Sequence, residues 1–164
     1  MVDAPQALAS VPVALVPAAP EPVAPARLAR DIVNQLMGAD AFSQWLGIEI
    51  LEAHAGHAVI RMTVRDEMVN GFGTSHGGIV FSLADSAFAF AINAGGYLSV
   101  AIDCVVSFPV AVRPGDVLTA TATEDSTSNK LAFCVVTVRN QDNVIVGHFR
   151  GTGFRTARLH PPNS

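Results

Sequence analysis

The chain has 164 residues and a formal net charge of −4; half of its residues are apolar and only 15% are charged, with a mean hydropathy of +0.39. That length suits one domain with a real core, and Lys and Arg are too scattered to form a basic patch, which argues against nucleic acid as a partner. The apolar surplus is what a chain carries when a large face is buried against copies of itself.

Residues 1–26 hold six of the ten prolines amid Ala and Val. Such a segment cannot keep a helix or join a sheet interior, so it reads as a flexible Ala/Pro-rich tail. It lacks a basic n-region and makes a poor signal peptide. From Arg27 the pattern changes: Leu28, Ile32 and Leu36 recur every four residues beside Val33 and Met37, one face of an amphipathic helix ending at Gly38. Asp40 is placed to cap a short second helix carrying Phe42, Trp45 and Leu46, with Gly47 as its stop.

Strand character follows over Ile48–His54 and Ala58–Arg65. The second segment sets Ala58, Ile60, Met62 and Val64 on one face and Arg61, Thr63 and Arg65 on the other. A Gly-rich loop, Asn70 to Gly78, then opens an apolar helix from Gly77 to Ala94. Asp85 near its middle and glycines at both ends deny it the roughly 20 apolar residues of a membrane span. Four more strand-like segments complete the chain: Ser99–Phe108, Asp116–Glu124, Leu131–Arg139 and Val144–Phe154, with turns at Ser126–Asn129 and Asn140–Asn143. The domain is therefore drawn over 27–156, with a C-terminal tail over 157–164. A helix apolar on nearly every side needs a sheet wrapped around it, here a meandering antiparallel one, or a sheet and a partner. Cys104 and Cys134 lie inside strand patterns and show no metal-ligand spacing. They read as buried free thiols rather than a disulfide, as suits the cytoplasm.

Between Gly71 and Ile102, Asp85 is the only carboxylate, and His76 is the only other ionisable side chain before Tyr97. A charge in such company is costly without a purpose. Gly77 and Gly78 stand at the helix N-terminus, where side-chain-free backbone N–H groups and the helix dipole favour an oxyanion. Taken alone, the two glycines also fit a plain tight turn, and Asp85 also fits a structural carboxylate. Asp85 lies eight residues beyond Gly77, about 12 Å along the axis. One chain cannot bring both to a single carbonyl. Two such helices packed antiparallel about a twofold axis can, which predicts a dimer with two shared sites.

Asn70, His76-Gly77-Gly78 and Asp85, followed by Ser86-Ala87-Phe88-Ala89, and the later Val112-Arg113-Pro114-Gly115-Asp116, resemble the hotdog-fold acyl-CoA thioesterases of the PaaI type, from phenylacetate catabolism. The resemblance runs from about Trp45 to Arg155. It implies an α+β hotdog fold: an antiparallel sheet around a long central helix, here with an added N-terminal helix. It also implies a homo-oligomer with shared sites, a dimer of dimers, and hydrolysis of an aryl-acyl or hydroxyphenylacetyl-CoA to free acid and CoA. Gly77 would polarise the thioester carbonyl. Asp85 would act as general base or as nucleophile, Asn70 would position the carboxylate or water, and His76 would organise the loop.

Coenzyme A needs cations for its phosphates. Arg113, Lys130 and Arg150 are the candidates, with Gly78 beside the acyl group. No motif implies a metal, nucleotide or flavin cofactor. Some members of that family place a water-holding Ser or Thr near the start of this strand; here the resemblance offers Ser99, with Ala101 nearby. Two alternatives remain. A hotdog hydratase or dehydratase would use a histidine such as that of Gly147-His148-Phe149, but this one falls on the last strand and is followed by Arg150. A non-catalytic acyl-CoA-binding protein would have no need of Asp85. Asp103 reads as a structural carboxylate, and His54, His57, His148 and His160 as strand-surface or tail residues.

Overall fold

The computed structural model describes residues 26–161; the Ala/Pro-rich segment before them lies outside that range, apart from Ala26. Helix α1 (Ala26–Ala39) buries Ala29, Ile32 and Val33, while Leu28, expected on the same face, is exposed. Arg30 donates to the carbonyls of Ile50 and Leu51, both at 3.2 Å, and ties α1 to the first strand. Helix α2 (Ala41–Leu46) is capped by Asp40, whose Oδ1 accepts the N–H groups of Phe42 and Ser43 at 3.0 Å. Gly47 stops it in the left-handed region at φ 75°, where a Cβ would be strained. Phe42 and Trp45 nonetheless stay exposed, and only Leu46 of the three expected apolar residues enters the core.

Strands β1 (Glu49–His54) and β2 (His57–Thr63) form a tight hairpin, and a single 3-10 turn (Asp66–Met68) leads to the Gly-rich loop. Helix α3 (Gly77–Asn93) is followed by β3 (Tyr97–Ser107), β4 (Val117–Thr127), β5 (Leu131–Arg139) and β6 (Ile145–Leu159). All six strands form one antiparallel sheet in the order β1-β2-β4-β5-β6-β3. This is the hotdog fold, α+β.

Two expectations need correction. The sheet is not a plain meander: β3 passes over to the far edge beside β6, and β4 pairs with β2 instead. Strand β6 also continues to Leu159, which pairs with Tyr97, and His160 donates its N–H to the Gly96 carbonyl at 2.9 Å. The C-terminal boundary at 156 is therefore too early, because the long β3 supplies a ladder for the extra residues.

The concave face carries Ala58, Ile60, Met62, Leu118, Ala120, Ala122, Ala132, Val136, Val138 and Phe149, all buried against α3. Close approach is possible because β6 turns glycines toward the helix. A Cβ on Gly147 would stand 2.9 Å from Val80, and one on Gly151 2.9 Å from the rings of Phe88 and Phe149. The helix therefore buries Val80, Leu83, Ala84, Ala87, Phe88 and Ala91 on the sheet. The stripe Gly78, Ser82, Asp85 and Ala89, at helical spacing, is not buried. Among the described residues, no helix is long and apolar enough to cross a membrane.

Candidate active site

The loop before α3 is built by Asn70. Its Oδ1 accepts the Phe72 N–H at 2.8 Å, its Nδ2 donates to Thr74 Oγ1 at 3.0 Å, and its backbone N–H donates to the Thr74 carbonyl at 2.7 Å. This is an Asx-type turn, and it spends most of the amide's capacity inside the loop. Ser75 N–H then bonds to the Val112 carbonyl and His76 N–H to the Met68 carbonyl, both at 2.8 Å. These two bonds deliver His76 to the start of α3.

His76 is the N-cap. Its Nδ1 accepts the Gly78 N–H at 2.9 Å, so the neutral ring carries its proton on Nε2. The two glycines consequently differ in duty. Gly78, expected beside the substrate, gives its N–H to the cap. Gly77 N–H has no hydrogen-bond partner among the described residues. A Cβ on Gly77 would meet only the Phe108 ring, at 3.4 Å, so packing does not demand glycine there. What its missing side chain preserves is access to a free N–H at the positive end of a helix.

Asp85 stands two turns further along, half-buried beneath the edge strand β3. The Cys104 thiol donates to its Oδ1 in a long contact of 3.8 Å. Burial pushes the Asp85 carboxyl above the usual aspartate range; the Cys104 thiol works against this, and the negative charge of Asp40 adds to it. Cys104 is itself pushed up to about 11, first by burial and then by the Asp85 charge, so it stays a protonated donor. Asp40 belongs to a neighbouring chain of contacts: Ser43 Oγ donates to its Oδ2 at 2.6 Å and lies 2.9 Å from Ser86 Oγ. Neither Cys104 nor this α2 network was assigned to the site from sequence. The only available signal was that Cys104 lies on a strand that a carboxylate-bearing helix must cross.

The expected cations are scattered. Arg113 sits in the turn after Val112, whose carbonyl holds Ser75, so it shares the neighbourhood of the α3 N-terminus. Lys130 lies in the β4–β5 turn and its carbonyl accepts the Arg155 N–H at 2.7 Å, toward the other end of α3. Arg150 is exposed on the outer sheet face, because Phe149 and Gly151 on either side of it face the helix. His148 and Asp103 share that outer face, which removes the structural basis for a dehydratase histidine. Ser99 is buried, with its hydroxyl within hydrogen-bond distance of the Ile92 and Tyr97 carbonyls and its N–H donating to Asn93 Oδ1 at 2.8 Å, and so locks the end of α3. His160, expected in a tail, bonds Asn93 Oδ1 at 2.7 Å, and burial lowers its pKa.

Residues 72–146 match the family model described as the thioesterase superfamily. The chain is 41% identical over 119 residues to the acyl-coenzyme A thioesterase PaaI of Escherichia coli, covering 71% of this chain and 83% of that protein. It is 38% identical over 125 residues to a putative esterase of Archaeoglobus fulgidus, covering 76% and 81%. The solved structure of the E. coli PaaI protein, from the phenylacetic acid degradation operon, superposes with a TM-score of 0.80 at 36% identity, over 82% of this chain and 97% of that one.

Proposed function

Because the chain belongs to the thioesterase superfamily and is a thioester hydrolase of the PaaI kind, we propose that it hydrolyses acyl-CoA, of the aryl-acyl or hydroxyphenylacetyl class, to free acid and CoA. The observation that carries this reading is the half-buried Asp85, with its raised pKa, on the open stripe of a helix whose first N–H, that of Gly77, has no partner among the described residues. A raised pKa makes the carboxylate a better base. Asp85 takes a proton from water as the oxygen attacks the thioester carbon. The carbonyl oxygen becomes an oxyanion against Gly77 N–H, and collapse expels the CoA thiolate, which recovers the proton. In the alternative route Asp85 attacks directly and water cleaves the mixed anhydride. Isotope from labelled water found in Asp85 after one turnover would identify that second path.

Each site is shared by two chains. Gly77 and Asp85 are about 12 Å apart along one helix, and β3 offers an edge that no strand among the described residues pairs with, where Val100, Ile102 and Val105 are exposed. A long apolar edge strand is a template for a second copy. Pairing two β3 edges about a twofold would bring the open α3 stripes together. Exposed Phe133 and Val135 on the outer face support a dimer of dimers. His76 holds the loop, Asn70 positions water or the partner's carboxylate with its spare Nδ2 hydrogen, and Arg113 takes a CoA phosphate. Lys130 and Arg150 would contribute only if a partner chain carried them to a site. The two free cysteines suit a cytoplasmic enzyme.

The test is release of free CoA thiol from a panel of aryl- and alkyl-acyl-CoAs, with enoyl-CoA hydration as the control. Thiol release favouring aryl-acyl substrates is expected. Hydration without thiol release would overturn the reading.

A further inference from the structure

The β1–β2 hairpin carries a cluster that hydrolysis does not use. Glu52 and His54 are two residues apart on one face of β1, and His54 pairs across the tight turn with His57 of β2. One ligand-capable atom from each of the three lies within 4.8 Å of the others. We propose that this hairpin tip binds one divalent transition-metal ion of the zinc class through Glu52, His54 and His57.

Two imidazoles and a carboxylate are a donor set of the kind zinc takes, with a fourth position left for water or a small ligand. At metal–ligand distances of roughly 2.0–2.2 Å, tetrahedral donors stand about 3.3 Å apart. Closing the set therefore needs movements within the reach of a side-chain torsion. His57 Nε2 and Glu52 Oε2 are already at 3.7 Å. The His54 and His57 rings are stacked at 4.5 Å, and the exposed His54 is free to turn out of that stack into the chelate.

A second feature points the same way. His57 Nδ1 lies 3.3 Å from Thr123 Oγ1 on the neighbouring strand β4, leaving Nε2 toward Glu52. A ligating histidine characteristically has its other nitrogen hydrogen-bonded, which sets its tautomer and ring orientation. Both histidines border a cavity of about 610 Å³, so the open metal position has space before it. Gly56 at the turn donates its N–H to the Ala91 carbonyl at 3.2 Å, which puts the hairpin tip at the end of α3 remote from Gly77. The ion would therefore clip the edge hairpin without entering the thioesterase chemistry.

The test uses tag-free, full-length protein stripped with a chelator, then titrated with zinc chloride by calorimetry and with cobalt chloride by visible absorption. One ion per chain with micromolar affinity is expected, together with a higher melting temperature in zinc. His54→Ala and His57→Ala should abolish both effects and Glu52→Gln should weaken them. Thr123→Val should weaken affinity on the order of tenfold, as loss of an outer-shell partner does. Thiol release from acyl-CoA should be unchanged throughout. No saturable uptake at millimolar zinc, or variants that bind as the wild type does, would overturn the proposal: Glu52, His54 and His57 would then be no more than neighbouring side chains of the hairpin.

Discussion

Asp85 feels three influences at once: burial, the thiol of Cys104 and the charge of Asp40. Since its carboxyl is raised in the folded chain above the ordinary 3.8, ionising it opposes folding. That penalty is full above the raised pKa and disappears below the ordinary value. At pH 7 the Asp85→Asn chain should therefore melt at or above the wild-type temperature and still bind acyl-CoA, while thiol release is abolished. Turnover near wild-type would remove Asp85 from the chemistry. Cys104 gives a second readout. Its thiol favours the ionised carboxylate, so Cys104→Ala should raise the Asp85 pKa further and move the acid limb of kcat/KM to higher pH. An unmoved limb would mean that the 3.8 Å contact carries no energy.

At the scale of the element, the N-terminus of α3 divides its work between adjacent glycines. A Cβ on Gly78 would stand 3.0 Å from His76 Nδ1, so substitution there disturbs the cap, a loss of about 1 kcal/mol for typical caps. A Cβ on Gly77 meets Phe108 at an ordinary 3.4 Å. Gly77→Val should consequently fold but obstruct the carbonyl's approach, with a rate loss of about 10²–10³, the usual cost of one oxyanion donor. Stopped-flow or steady-state thiol release on a variant with a normal melting curve separates the two effects. Unchanged kinetics would reduce Gly77 to a turn residue.

The whole molecule is where the two groups can meet. If each site takes Gly77 from one chain and Asp85 from its partner, mixing Asp85→Asn with Gly77→Val should restore activity from two dead proteins. One site of the mixed dimer receives both lesions and the other none. With random pairing, half the dimers are mixed and each has one good site, giving about a quarter of wild-type activity under twofold symmetry. Mixed dimers shown by mass spectrometry to form, yet inactive, would rule out the shared site.

Local physics made much of this legible before any tertiary structure. The Asp40 cap, the Gly47 stop and the bounds of α3 depend on neighbours within a turn, and each agrees with expectation to within a residue. The isolation of Asp85 is likewise a property of the sequence, since a charge amid apolar residues stands out wherever it folds. Pairing was not legible, because strand periodicity sets which residues share a face but not which strand lies beside them. Only the fold put β3 at the far edge next to β6 and the Cys104 thiol against Asp85. The same holds for direction: Arg150 turns outward because the helix-facing positions beside it are taken by Phe149 and Gly151, and Lys130 is carried away from Gly77 by the length of its strands. Nor does composition tell Gly77 from Gly78. Their difference arises when the His76 ring folds back onto one N–H and leaves the other open, a choice made by side-chain geometry at the helix end.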